Sequence, residues 1–342
     1  MSLIYMIPHI PTQMKATFKE LNMARFLRQS NISKAKGFSA WAVFLTIFLL
    51  TFQKETWFQQ KAMSKKSPGL PGKDVVYRFL NKATFNWRKF LLLLGSHAVS
   101  KCDSLTGERR VKVFIVDDSL FERLRSKKVE LLSTVFDHTT MKFVKGYQLL
   151  TLGWSDGATF IPVNFSLVAY TKHLIQGISD GVDKRTSGYK RRMEALMTKP
   201  QVTAAMIGQA VRAGIAADYV LMDTWFTEEP LIQEIRKHGL EIIGMLKRGA
   251  KRKYGFKGQK HTLERLLTLC NKNKNANAIL GFAIVTMKEG TQVKVVFVRH
   301  RSNPAKWLAV LSTDTSLCDE EIIRIYGYRW EIEVFSSATN PT

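Results

Sequence analysis

Apolar and polar positions follow two different periods along this chain, and the change falls near residue 111. Before it, apolar residues recur every three or four positions, the spacing of one face of an α-helix. The stretch MKATFKELNMARFLRQS (14–30) reads as one amphipathic helix, and DVVYRFLNKATFNWRKFLLLLGSHAVSK (74–101) as two more. Between them, SKKSPGLPGK (64–73) reads as a loop from its Ser, Pro and Gly content. The run Phe38–Phe52 is almost wholly apolar. It falls short of the roughly 18–20 residues that cross a bilayer, and it lies too far along the chain for a secretion signal. It predicts a buried helix of a soluble domain, and with it a cytoplasmic protein.

From Val111 the pattern is that of strands. VKVFIVDD (111–118) is β-rich and ends in two aspartates. GYQLLTLGWSDGATFIPVNFSLVAY (146–170) reads as two strands turning at Ser155-Asp156-Gly157. Helix, strand, helix and strand follow in QVTAAMIGQAVRAG (201–214), DYVLMD (218–223), EEPLIQEIRKHG (228–239) and EIIGMLK (241–247), the helices stopped by Gly214 and Gly239. Antiparallel strands that give way to alternating strands and helices predict an α/β fold, a mixed sheet flanked by helices. Residues 248–313 break the alternation as a β-rich insertion containing VKVVFVRH and WLAVLSTD. DEEIIRIYGYRWEIEVF (319–335) reads as one last helix, with acids in its first turn where the helix dipole favours them. The division expected is an N-terminal all-helical domain (1–110), a core (111–247), the insertion (248–313), a core helix (314–335) and a short aberrant tail (336–342), where helical patterning stops.

Charge narrows the partner. Lys and Arg number 52 against 28 Asp and Glu, a net charge of +24 and a sequence pI near 10.0. Such an excess points to a polyanion, nucleic acid before an anionic membrane surface. More than half of it lies in residues 1–110, where a helix starting near Asp74 carries Tyr77, Arg78, Asn81 and Lys82 on its polar side and could enter a groove. Further cations stand in a loop-like insert (Lys184, Arg185, Lys190, Arg191, Arg192) and in the acid-free cluster 247–260 that includes Lys251, Arg252 and Lys253. Both are expected to hold backbone phosphates, contacts that are sequence-blind and salt-sensitive. The three cysteines (Cys102, Cys270, Cys318) form no C-x-x-C pair, which excludes a disulfide framework and a Cys-based zinc site. The seven histidines include no H-E-x-x-H, and no phosphate-binding G-x-x-x-x-G-K-[ST] loop occurs, so zinc hydrolysis and nucleotide hydrolysis are unsupported.

Three acids stand out by position: Asp118 at the end of the first strand, Asp223 at the end of YVLMD, and Glu333 on the last helix. Carboxylates at the ends of neighbouring strands, with one more from a packed helix, can converge on a point. Hard divalent cations take such oxygen ligands, and two ions can activate a nucleophile and steady the leaving oxygen of a phosphodiester. Tyr326, Arg329 and Glu333, three and four residues apart, fall on one helical stripe, where Arg329 could grip a phosphate beside Glu333. An ordinary surface ion pair is the competing reading of Arg329 and Glu333. Trp225, Trp307 and Trp330 are more simply core residues than base-stacking ones.

The segments VDDSLFERLRSKKVELLSTVFDHT, GYQLLTLGWSDG, YVLMDTWF and Y-G-Y-R-W-E-I-E together resemble the transposases of the insertion-sequence-four family. The resemblance implies a ribonuclease-H-like fold and a metal-binding Asp-Asp-Glu triad at Asp118, Asp223 and Glu333, with Asp117 as the alternative to Asp118. It implies two Mg2+ ions, replaceable by Mn2+, and cut-and-paste transposition through hydrolysis at transposon ends and strand transfer to target DNA. The partners implied are terminal inverted repeats, target DNA and a second copy of the chain in a synaptic complex. The family's last-helix signature, Y-x2-R-x3-E-x6-K, is met by Tyr326, Arg329 and Glu333 but not by Asn340. A chain truncated at its C-terminus and weakened in activity is therefore expected. The rivals are a metal-dependent nuclease on the same fold and a DNA-binding remnant without catalysis.

Overall fold

The computed structural model describes residues 12–53, 71–105, 107, 110–137, 140–272, 278–300, 303 and 306–339. The loop at 64–70, Asn340, His9 and His138 lie outside them. The chain forms two compact units, Met1–Ala98 with Ile178–Glu194, and Val99–Gly177 with Ala195–Thr342.

The first unit is helical, as its periodicity predicts. The amphipathic stretch is two helices rather than one, α1 (Thr12–Glu20) and α2 (Met23–Gln29), because Asn22 takes a left-handed φ of 53°. The apolar run becomes α3 (Ala40–Gln53), whose Ala40, Ala42, Val43, Leu45 and Leu50 are buried. Among the described residues no helix is long and apolar enough to cross a membrane. α4 (Lys73–Leu80) buries Val76 and Phe79 and leaves Tyr77 and Arg78 exposed, while α5 (Trp87–Leu105) begins in this unit. The core is largely aromatic: Phe18, Phe26, Phe79, Phe85 and Phe90 pack with Leu27, Ile32, Val43 and Leu45. Residues 187–194, expected as part of a loop-like insert, form a helix, α6 (Ser187–Glu194), in this unit. Glu194 accepts two hydrogen bonds of 2.5 Å from the guanidinium of Arg88, which is only 7% exposed. A buried arginine held by both carboxylate oxygens gives a fixed geometry as well as attraction.

The second unit is built on one sheet. β1 (Val113–Glu122) lies beside β3 (Lys142–Ser155), and β3 pairs with both β2 (Ser133–Asp137) and β4 (Phe160–Val168), all antiparallel. α7 (Lys199–Arg212) leads to β5 (Tyr219–Met222) and α8 (Glu229–Arg236) to β6 (Glu241–Met245), and β1, β5 and β6 run parallel. Strand order β4-β3-β1-β5-β6, with two antiparallel steps and then two parallel ones, is the ribonuclease-H-like arrangement. The β-rich segment extends this sheet instead of forming one of its own. β12 (Trp307–Ser312) pairs antiparallel with β6, β11 (Gln292–Arg299) with β12, and β10 (Ile279–Thr286) with β11. A short hairpin, β7 (Tyr254–Phe256) and β8 (Gln259–His261), closes that side. β9 (Asn271–Lys272) pairs with β10 after α9 (Leu263–Leu269).

Two expectations are corrected at the ends of elements. The first strand does not stop at the aspartates but runs on to Glu122, so Asp117 and Asp118 lie mid-strand, paired with Thr151 and Leu150 of β3. The last helix is two helices, α10 (Asp319–Tyr326) and α11 (Trp330–Thr339), joined by a 3-10 turn over Gly327–Arg329. α11 also continues past Ser336 to Thr339, where the patterning predicts the helix to have stopped. Phe335 anchors it by packing against Phe160 of β4, ring centroids 5.1 Å apart.

Candidate active site

Alternation along β1 decides what each aspartate faces. Val113 and Ile115 belong to the core cluster that contains Ile322, Ile325 and Ile332 of α10 and α11. Side chains two apart share a face of a strand, so Asp117 points to the side of these helices and Asp118 to the other. There Lys199, at the start of α7, donates to Asp118 Oδ2 at 2.7 Å. Sequence reasoning missed Lys199, since nothing in the local pattern links residues 81 positions apart.

Asp223 follows β5, the parallel neighbour of β1. Its carboxylate accepts from the Trp225 backbone N–H at 2.9 Å, and its carbonyl from Thr227 Oγ1 at 2.6 Å. Thr227 in turn presses on Gly244 of β6, where a Cβ would come within 2.5 Å of Oγ1. The turn that carries Asp223 is thus locked to the sheet.

Glu333 arrives from α11 and is ion-paired with Arg329. The Arg329 guanidinium lies 5.9 Å from the Tyr326 ring centroid, so the stripe read from the sequence does assemble despite the 3-10 turn. Turn geometry keeps a right-handed backbone through Gly327–Arg329, which preserves the shared face. The link is held from the β3–β4 turn as well. Gly157 has φ +83°, and a Cβ there would approach the Tyr328 ring to 2.5 Å.

These groups form one electrostatic cluster. Burial and the neighbouring Asp118 push the Asp117 carboxyl up to about 7, with Asp223 adding to the rise and Arg329 opposing it. Asp223 is raised by burial first, against the pull of its backbone donors, with Asp118 adding to it. The phenol of Tyr326 is pushed up to about 12 by burial, Arg329 opposing. Burial alone would pull Arg329 down, but Tyr326, Glu333 and Asp117 hold it above the ordinary arginine range. The acids offer oxygen donors alone, the type that a hard divalent cation takes. Lys199 and Arg329 place positive charge against Asp118 and Glu333. Among the described residues no three His, Cys, Asp or Glu side chains gather closely enough to hold one metal ion. Asp118, Asp223 and Glu333 are therefore linked through shared charges but do not close on a point.

The expected phosphate contacts divide by environment. Lys184 and Lys190 are exposed, Arg185 pairs with Asp183 at 3.0 Å, Arg192 donates to the Gly188 carbonyl at 3.1 Å, and Arg191 lies 3.6 Å from Glu194. Burial lowers Arg191 to about 10, so this guanidinium is part of the packing around Glu194. In the second unit Lys251 and Lys253 are exposed, whereas Arg252 is engaged by Glu228 at 2.6 Å. Two tryptophans depart from the core reading: Trp225 is 52% exposed with Lys247 Nζ 4.3 Å from its ring centroid, and Trp330 is 64% exposed, whereas Trp307 packs edge-on against Phe297.

A family model described as DDE superfamily endonuclease matches residues 39–253, and one described as Transposase DDE domain matches residues 199–341. No curated protein matches the chain. Among solved structures it is similar to one described as the Drosophila P element transposase strand transfer complex, at 12% identity and a TM-score of 0.29. That likeness covers 78% of this chain and 57% of the other, so this chain spans little more than half the length of its counterpart.

Proposed function

Because the chain belongs to the DDE superfamily of endonucleases, we propose that it is a DNA transposase, resembling the insertion-sequence-four type, that cuts a transposable element out of DNA and joins its ends to a target. The observation that carries this reading is the charged cluster itself. Asp117 on β1 and Asp223 after the adjacent parallel strand β5 lie within electrostatic reach of Arg329 in a Tyr-Arg-Glu stripe from the C-terminal helices. Asp223, Glu333 and the Asp117–Asp118 pair would hold two divalent ions, Mg2+ or Mn2+. Motif resemblance favours Asp118 within the pair, and the face shared with Arg329 favours Asp117. When bound, such ions supply a nucleophilic oxygen and neutralise charge on the phosphodiester.

The chain's own residues do the rest. Arg329 exchanges Glu333 for a phosphate, donating two parallel N–H bonds to two of its oxygens. Lys199 leaves Asp118 in the same way. The exposed Lys184, Lys190, Lys251 and Lys253 bind backbone phosphates of terminal repeats and target, and a second copy of the chain pairs the two ends.

The test is metal-dependent cleavage and strand transfer on DNA carrying the element's ends. Asp223→Ala is expected to abolish both, by at least about a thousandfold, and to leave DNA affinity nearly unchanged. Cutting without joining would indicate a nuclease on the same fold. Carboxylates that do not close on one point favour a second reading, a DNA binder without catalysis. Binding with no cleavage in either protein would establish that one.

A further inference from the structure

A row of rings lies at the edge of the second unit's sheet where β2 is the outermost strand, on the pleat face of Asp117 but eight positions along β3 from Thr151, the ladder partner of Asp117. Phe136 and Phe143 are partners in the β2–β3 ladder, with ring centroids 5.1 Å apart. Phe143 lies 6.0 Å from His173, in the 3-10 turn Thr171–His173, and His173 stacks on Tyr170 at 5.3 Å with planes 12° apart. Phe143 is 61% exposed and Tyr170 45%. Large rings left in water over several neighbouring positions mark a contact surface more often than a chance of composition.

The charges around the rings are sorted by the pleat. Residues directly opposite in an antiparallel ladder share a face, so Lys145 and Thr134 lie on the face of Phe143 and Phe136. Arg123 reaches the same face: its backbone N–H donates to the Lys145 carbonyl at 2.7 Å, and its guanidinium lies 4.0 Å from the centroid of the Phe121 ring. Alternation sends Glu122 and Asp137 to the opposite side, while Glu130 stays close to this face: its carbonyl accepts from the Tyr147 hydroxyl at 2.7 Å, two positions along β3 from Lys145. Lys172, exposed in the 3-10 turn, adds a further cation next to His173. Strand addition is disfavoured, because Leu174 already bridges Ser133 and the Ile175 N–H donates to the Leu132 carbonyl along that edge.

We propose that this face is a nucleic-acid contact separate from the carboxylate cluster, taking unpaired nucleotides. Bases stack on Phe143 and Tyr170, and Arg123, Lys145 and Lys172 neutralise the backbone. Aromatic platforms combined with cations are the physical recipe for single-strand binding, since every base offers a flat face whatever its sequence. Three exposed cations, Arg123, Lys145 and Lys172, set among the rings favour a phosphate backbone over a protein partner. The proposal rests on the reading of the chain as a DNA-acting enzyme for the class of partner alone. Stacking here needs no metal.

The test is fluorescence anisotropy with labelled oligothymidylate and with a duplex of equal length, in EDTA, on the full chain. The double variant Phe143→Ala/Tyr170→Ala is expected to lose single-strand affinity by about tenfold or more while binding duplex nearly as before. Phe143→Tyr, which keeps a ring, should bind like the parent and controls for folding. Lys145→Glu should weaken both ligands. An unchanged single-strand affinity in the double variant overturns the proposal. So does an equal loss on duplex, or a change in oligomeric state with DNA binding intact, which would assign the rings to a protein contact. Asp223→Ala should leave the single-strand binding in place, so that failed cleavage and a failed ring platform are told apart.

Discussion

Two adjacent aspartates on one strand meet different surroundings, and the difference is measurable. Asp117 has its carboxyl pushed up to about 7 by burial and by the acids beside it. An unfolded aspartate titrates near 4, so the fold favours the protonated form. Stability from this group is therefore full below about pH 4 and lost as pH rises through about 7. In EDTA, Asp117→Asn is expected to raise stability by on the order of 1–3 kcal/mol at pH 8 and to change little at pH 4. Thermal unfolding at the two pH values checks it, and an equal effect at both would remove the argument. Asp118 depends on Lys199 instead, with both side chains mostly enclosed. Lys199→Met should cost about 1–3 kcal/mol by leaving a charge without its partner. Combined with Asp118→Asn it should cost clearly less than the sum of the two single changes, the mark of a direct pair. The sequence singled out the aspartates because two acids after an apolar run are conspicuous. It could not find Lys199, whose contact with Asp118 exists only once α7 packs beside the sheet.

The elements that carry the cluster are aimed by small details of close packing. α11 presents Glu333 after a 3-10 turn, and that turn rests through Tyr328 on Gly157 at the β3–β4 corner. Gly157→Ala would both force a side chain to φ +83° and drive a methyl group into the Tyr328 ring. The expected cost is about 1–3 kcal/mol, with a larger loss of cleavage than of DNA binding. Tyr328→Ala in the same background should recover part of the stability by opening space, and failure to do so would show that backbone strain dominates. Helix and strand types were legible from periodicity: the residues of β4, α7, β5, α8 and β6 fall where the alternation and the glycine stops place them. Boundaries were less so. β1 outruns its apolar stretch because Asp117 to Glu122 keep their ladder partners on β3, a long-range pairing that no local pattern announces. α1 and α2 separate because one residue, Asn22, turns left-handed within a continuous amphipathic pattern.

At the scale of the whole molecule, a net charge of +24 predicts DNA binding that weakens steeply with salt. Each phosphate neutralised contributes a slope of about −0.9 in a log–log plot. Lys251→Glu/Lys253→Glu should flatten that slope by about two contacts' worth, and an unchanged slope would remove these lysines from the interface. A divalent ion, if it binds the carboxylates, should raise the melting temperature of the parent chain and not that of Asp223→Ala. The β-rich segment shows where sequence reading stops: its strands were recognisable, but not their joining to β6, which makes them one sheet with the core. By itself the sequence determined the period of each segment and the kinds and excess of acids and cations available, because periodicity and charge are properties of neighbouring residues. Tertiary structure alone decided that Asp117 faces Arg329 while Asp118 faces Lys199, that Phe143 and Tyr170 come together across His173, and that the second unit's strands form a single sheet. Those outcomes depend on which face of a strand meets which helix, and only packing between residues far apart in the chain sets that.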